Sequence, residues 1–151
     1  MTNPAHCTGV VVVVARVEGP APSLLFLRRA GGRFDRQWWP VTGTLEADEA
    51  PLAGALRELE EETSLQPETV YDTGLTAEDT VGHGILKVFV AIVHPRLEVN
   101  LNWEHEAHRW CSLPEALDLI DSVGHPYLVE AERIARARPP EQQIFPDPSA
   151  G

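Results

Sequence analysis

Three carboxylates lie close together in the segment Arg57-Glu58-Leu59-Glu60-Glu61-Glu62-Thr63. A helix advances about 100° per residue, so Glu58, Glu61 and Glu62 share an arc of about 100°. Side chains at i, i+3 and i+4 are neighbours, and like charges there repel. The repulsion raises at least one pKa unless a cation intervenes. Hard divalent cations such as Mg²⁺ or Mn²⁺ prefer oxygen ligands, which makes the triplet a candidate cation seat. Cations held in this way can in turn hold phosphate oxygens. Arg57 stands one turn before Glu61 and is placed to pair with it. A solvated acidic face on a surface helix is the competing reading. Gly54 bears on the choice, because it lies four residues before Glu58 on the same side. Glycine inside a helix costs about 1 kcal/mol relative to alanine, and a missing side chain there would let a loop backbone approach the seat.

The helix that must carry these groups runs from Ala50 to Thr63, with Leu52, Leu56, Leu59 and Thr63 on one face and the carboxylates turned away from it. Around it the chain reads as mixed α/β. Thr8 to Val17 is a valine-rich strand buried on both faces. Glu18 to Pro22 is a turn, and Ser23 to Arg29 returns as the second arm of a hairpin. Ala30-Gly31-Gly32 opens a flexible loop, and Trp38 to Thr42 is extended around Pro40. Strands follow at Val70 to Leu75, Ile85 to Val93 and Ala107 to Ser112. Pro114 to Leu119 begins a helix capped by Ser112, and Pro126 to Arg138 is the terminal helix. The head, Met1 to Cys7, reads as loose, and the proline-rich tail from Pro139 as extended or mobile. Hairpins in place of a regular βαβ rhythm favour a mixed sheet with helices on both sides over a doubly wound fold.

Composition narrows the function further. The 151 residues suit one domain, with an ordered core over about residues 8–138. The formal net charge of −11 speaks against wrapping long nucleic acid. No apolar run approaches the ~20 residues of a membrane span. The N-terminus lacks a basic start and an apolar signal core, and Cys7 and Cys111 form no disulfide framework, so a cytoplasmic setting is expected.

The wider spacing is more specific than the helix alone. Glycine, five residues, glutamate, seven residues, then Arg-Glu-apolar-any-Glu-Glu resembles the signature of the Nudix hydrolase superfamily. It is read here as Gly43, Glu49, Arg57, Glu58, Leu59, Glu61, Glu62 and Leu65. Ser64 departs from the glycine that the pattern has at the helix end, where a left-handed residue is common. Asp48 stands where such loops often have glycine.

The resemblance implies an α/β/α sandwich and hydrolysis of nucleoside diphosphates linked to another group, with two or three Mg²⁺ or Mn²⁺ ions. By position, Glu58, Glu61 and Glu62 would be metal ligands, joined by the backbone carbonyl of Thr42. Arg57 and Glu49 would orient them. Glu104, in the segment Trp103 to Trp110, is the candidate carboxylate outside the helix for the general base, with Glu61 next in line. His105 and His108 read as structural or solvated. Arg28 and Arg29 end a strand near the expected cleft, and one of them is the candidate phosphate clamp. Trp38, Trp39 and Phe89 are candidates to stack on a ring, with core packing the expectation for Phe89 and one tryptophan. His83, between two glycines, reads as a solvated loop histidine. Val41-Thr42-Gly43 and the Glu104 to Cys111 segment resemble the branch acting on dihydroneopterin triphosphate and dATP. That implies release of pyrophosphate from a nucleoside or pterin triphosphate. Another nucleoside diphosphate derivative (ADP-ribose, a sugar nucleotide or a dinucleoside polyphosphate) is the alternative. A non-catalytic nucleotide-binding module and an acidic interaction domain are further readings. The resemblance also carries the expectation of a homodimer.

Overall fold

The computed structural model describes residues 6–32 and 34–147. The valine run forms β1 (Cys7–Val17), whose side chains alternate between two cores. Val11, Val13 and Ala15 face one, and Val10, Val12 and Val14 face the other. A strand packed on both faces has no polar side to show, hence the unbroken apolar run.

The sheet forks along β1. Its second half pairs antiparallel with β2 (Pro22–Arg29), and its first half with β4 (Val41–Thr44). β3 (Trp38–Trp39) lies along β2. Pro40, which lacks a backbone donor, sits at the corner where the chain leaves β2 for β1. β5 (Thr69–Asp79) is antiparallel to β6 (Gly84–Ile92), and β6 runs parallel to β1. β7 (His105–Cys111) closes on the free side of β2. Strand β5 is longer than expected because a bulge between Asp72 and Thr76, with Gly74 at φ 76°, lets it resume pairing.

Helix α1 (Pro51–Thr63) covers the face of Val10, Val12 and Val14. Helices α2 (Leu113–Leu119) and α3 (His125–Ala137) cover the other. The expected architecture is therefore present: a mixed sheet between helices. Ser112 caps α2 in a reciprocal box with Glu115.

Two expectations fail. The proline-rich tail folds back: a short turn at Pro140–Gln142 leads into β8 (Gln143–Phe145), antiparallel to β5. Ile144 and Phe145 pack against the α1-side core, an apolar pair that outweighs the surrounding prolines. The order thus extends past Arg138; the expectation for the head concerns in part residues 1–5, and that for the tail Pro148, which lie outside the described residues. Helix α1 is also rotated from the expected stripe. Its buried residues are Gly54, Ala55, Glu58, Leu59, Glu62 and Thr63, while Leu52 and Leu56 are only half-buried. Two of the three carboxylates therefore lie under the helix rather than on its outer face.

Candidate active site

Arg57 is the hub of the outer layer. Its Nε and Nη2 donate to the two carboxylate oxygens of Glu49 at 2.8 Å each. Its Nη1 donates to Glu58 at 2.9 Å and Glu61 at 3.2 Å, and Nη2 also reaches the Thr44 carbonyl at 3.1 Å. One planar guanidinium thus fixes three carboxylates and the loop before α1. The Arg57 guanidinium, helped by the Glu46 N–H, holds the Glu49 carboxyl down at about 2. Asp48, at φ 61°, turns this loop with the left-handed geometry that aspartate tolerates.

Gly43 explains the inner layer. A Cβ there would overlap the carboxyl carbon of Glu58. The Glu58 carboxylate is therefore seated against the backbone of β4, beside Thr42. Gly54 plays a related part, but with side chains rather than the loop backbone expected. A Cβ at Gly54 would overlap Leu45 and approach Glu49 Oε1 at 3.0 Å. The missing side chain lets the loop residues close on the helix.

Glu62 is the most unusual group. It is 1 % exposed, and neither carboxylate oxygen has a hydrogen-bond partner. Burial pushes its carboxyl far above the ordinary range; Glu58 beside it and the charge on Glu104 push the same way, and Arg29 opposes them. His105 Nε2 lies 3.5 Å from Glu62 Oε1. Burial, then the charge of Arg29, lowers the His105 pKa against the pull of Glu104. His105 was expected to be structural or solvated. It reaches Glu62 because a bulge in β7 sets it opposite Arg29, and nothing in the local sequence announces that bulge.

Glu104 accepts from Asn102 Nδ2 at 3.1 Å and Arg29 Nη1 at 3.4 Å. Asn102 is a contributor that sequence reasoning missed. The two candidate clamps part company. Arg29 points to the Glu104 and Glu62 side, whereas Arg28 pairs with Glu106 at 3.0 Å and lies 5.5 Å from the Trp38 ring on the other face. Trp38 and Trp39 both pack against the α2 and α3 side, and Phe89 is buried in the α1-side core. His83, at φ 58°, is exposed in the β5–β6 turn, and His108 is exposed on β7.

The structure thus joins Glu49, Arg57, Glu58 and Glu61 in one network, and Glu62, His105, Glu104 and Arg29 in a second, with Glu58 touching both. Among the described residues, no three metal-ligating side chains already form a ready cage, because Glu58 and Glu61 turn to Arg57. The donor set nonetheless fits a hard cation. A buried carboxylate with both oxygens unpaired, next to a second carboxylate in a glycine cradle, is the arrangement that such an ion relieves.

The NUDIX domain family matches residues 5–131. The chain is 33% identical over 120 residues to an octanoyltransferase of Myxococcus xanthus; the match covers 76% of this chain and 33% of that protein. It thus spans about a third of the length of that relative. It is 30% identical over 122 residues to the asymmetrical bis(5'-nucleosyl)-tetraphosphatase of Sus scrofa, covering 71% of this chain and 76% of that protein. Among solved structures it resembles an Ap4A hydrolase of C. elegans in a binary complex, with a TM-score of 0.73, 20% identity, and 87% and 98% of the two chains covered. It also resembles the dihydroneopterin triphosphate pyrophosphohydrolase of E. coli, with a TM-score of 0.68, 21% identity, and 87% and 99% covered.

Proposed function

The chain belongs to the Nudix family, and from that premise we propose that it is a hydrolase of phosphoric anhydride bonds, cleaving a nucleoside or pterin triphosphate to the monophosphate and pyrophosphate with Mg²⁺ or Mn²⁺. The observation that carries the reading is Glu62, buried with both oxygens unpaired beside Glu58 in its glycine cradle. Glu58, Glu61 and Glu62, with the Thr42 carbonyl, would hold the metal. When bound, it supplies positive charge that offsets the polyphosphate and acidifies water.

The side chains supply the rest. Arg57 and Glu49 keep Glu58 and Glu61 in register. Glu104 accepts the proton of the attacking water. The water oxygen bonds to phosphorus as the P–O–P link breaks, and the leaving pyrophosphate keeps the electron pair. Arg29, already on Glu104, clamps a phosphate oxygen. Arg28 and Trp38, stacked on the opposite face, flank the ring end of the substrate. Preference for a triphosphate rests on the resemblance of Val41-Thr42-Gly43 and the Glu104 to Cys111 segment to the branch acting on dihydroneopterin triphosphate and dATP.

A second reading has its own support. The tetraphosphatase relative is matched over most of both chains, which favours a dinucleoside polyphosphate. A panel of dATP, dihydroneopterin triphosphate, Ap4A, ADP-ribose and a sugar nucleotide, with Mg²⁺ and with products resolved by chromatography, decides. Monophosphate plus pyrophosphate supports the first reading. AMP plus ATP from Ap4A alone moves the assignment to the second, and turnover of nothing would leave a nucleotide-binding module. Among the described residues no helix is long and apolar enough to cross a membrane; the cytoplasmic setting and the homodimer stay proposals that come from the sequence and the family resemblance.

A further inference from the structure

A second concavity lies on the α1 side of the sheet, away from the carboxylates. Its volume is about 350 Å³, within the range of small-molecule sites. Arg16, Arg96, His108 and Trp110 line it, together with the apolar side chains of Leu97 and Val99. The Arg16 guanidinium lies over the Trp110 ring, 4.2 Å from its centroid. That stacking holds the charge in place and leaves its edge free for hydrogen bonds. Neither Arg16 nor Arg96 has a carboxylate partner among the described residues, although Glu98 also lines the cavity. In a chain of net charge −11 with nearly twice as many acids as bases, two unpaired arginines converging on one hollow run against the overall field.

We propose that this cavity is a binding site for a phosphate-bearing small molecule, separate from the site of hydrolysis. Arg16 and Arg96 bind the phosphate oxygens, His108 donates at the rim, and Leu97 and Val99 receive an apolar or planar portion. The cavity is tied to the hydrolytic site by two connections. Its loop wall is pinned to the end of α1, where Asn100 N–H donates to the Thr63 carbonyl at 2.9 Å and Ser64 Oγ to the Asn100 carbonyl at 3.2 Å. Its strand wall, β7, also carries His105, which faces Glu62. An anion seated here therefore bears on both elements that hold the carboxylates.

Titration calorimetry with the full chain tests this in EDTA at physiological salt, where a metal-dependent site is silent. The probes are inorganic pyrophosphate and AMP. Wild type is expected to bind at least one of them, with a change in tryptophan fluorescence from Trp110. The double variant R16Q/R96Q should weaken binding at least tenfold and leave the metal-induced rise in Tm unchanged. Tighter binding of AMP than of pyrophosphate marks a nucleotide as the ligand, and the reverse marks the bare anion. Because Arg96 is exposed in a loop, R96E alone gives the same test without threatening the fold. No binding by wild type, equal binding by R96E, or binding lost instead on Arg29→Gln overturns the proposal.

Discussion

At the scale of the residue, the site depends on what is missing as much as on what is present. Gly43 leaves room for the Glu58 carboxylate, so Gly43→Ala forces that carboxylate off β4. Overpacking of this kind destabilises by about 1–3 kcal/mol, and turnover should fall at least tenfold. Chemical denaturation and kcat measured on the same sample check this; a stable variant with full kcat would show that the cradle is dispensable. Glu104 separates the base from the ligands. Glu104→Gln keeps the shape and removes the basic oxygen, which for a general base lowers the rate by about 10²- to 10⁴-fold. KM should change little. If kcat at saturating metal stays near wild type, the proton goes elsewhere, with Glu61 the next candidate.

At the scale of the element, the end of α1 and the β5–β6 turn each rest on a few identifiable hydrogen bonds. Helix α1 ends at Ser64 with φ 64°, and its hydroxyl donates to the Asn100 carbonyl at 3.2 Å. The left-handed conformation costs a non-glycine residue about 1–2 kcal/mol, while the hydrogen bond returns about 0.5–1.5 kcal/mol. Ser64→Gly relieves the first and loses the second, so it should shift stability by less than about 1 kcal/mol. Ser64→Ala only loses the bond and should destabilise by about 1 kcal/mol. Urea midpoints of the three proteins order them, and an alanine variant as stable as wild type would mean that the hydroxyl contributes nothing. The β5–β6 turn closes on Asp79. Burial raises its pKa, but hydrogen bonds from Gly82 N–H, the Thr8 hydroxyl and Val81 N–H, with the charge of His83, outweigh it and hold the carboxyl below its ordinary value of 3.8. A depressed carboxylate stabilises the fold above its unfolded pKa and loses that contribution as pH falls through the folded one. Asp79→Asn should therefore lower Tm at pH 7, and the deficit should shrink below pH 3.8. A deficit unchanged down to acid unfolding would exclude a role for the charge.

At the scale of the molecule, the carboxylates are a load that the fold carries in advance of its ligand. A cation that binds only the folded state stabilises it by mass action. Millimolar Mg²⁺ or Mn²⁺ should raise Tm by several degrees, since 1 kcal/mol corresponds to about 2–8 °C for domains of this size range. Glu61→Gln with Glu62→Gln should remove most of that gain and raise the metal-free Tm, because the buried unpaired carboxylate is gone. A wild-type Tm indifferent to both metals would count heavily against the seat. This readout is independent of the Arg16 and Arg96 cavity, which is probed with metal absent.

The local sequence determined the elements and the family. The β1 valines, the helix of α1, the Ser112 cap and the left-handed Ser64 all follow from periodicity or from short-range backbone chemistry. So does the spacing from Gly43 to Leu65, because consecutive residues on one loop and helix keep fixed relative positions. Only the tertiary structure decided which way that helix faces. Its leucines and its carboxylates compete for the core side, and the glycine gap at Gly43 admits Glu58 while Leu52 and Leu56 stay half-buried. The same holds for the division of Arg28 from Arg29, the meeting of His105 with Glu62, and the return of Ile144 and Phe145 to the sheet. Each of these brings together residues far apart in the chain or rests on a bulge. Strand register and bulges are set by the summed burial of partners, which no short window of sequence contains.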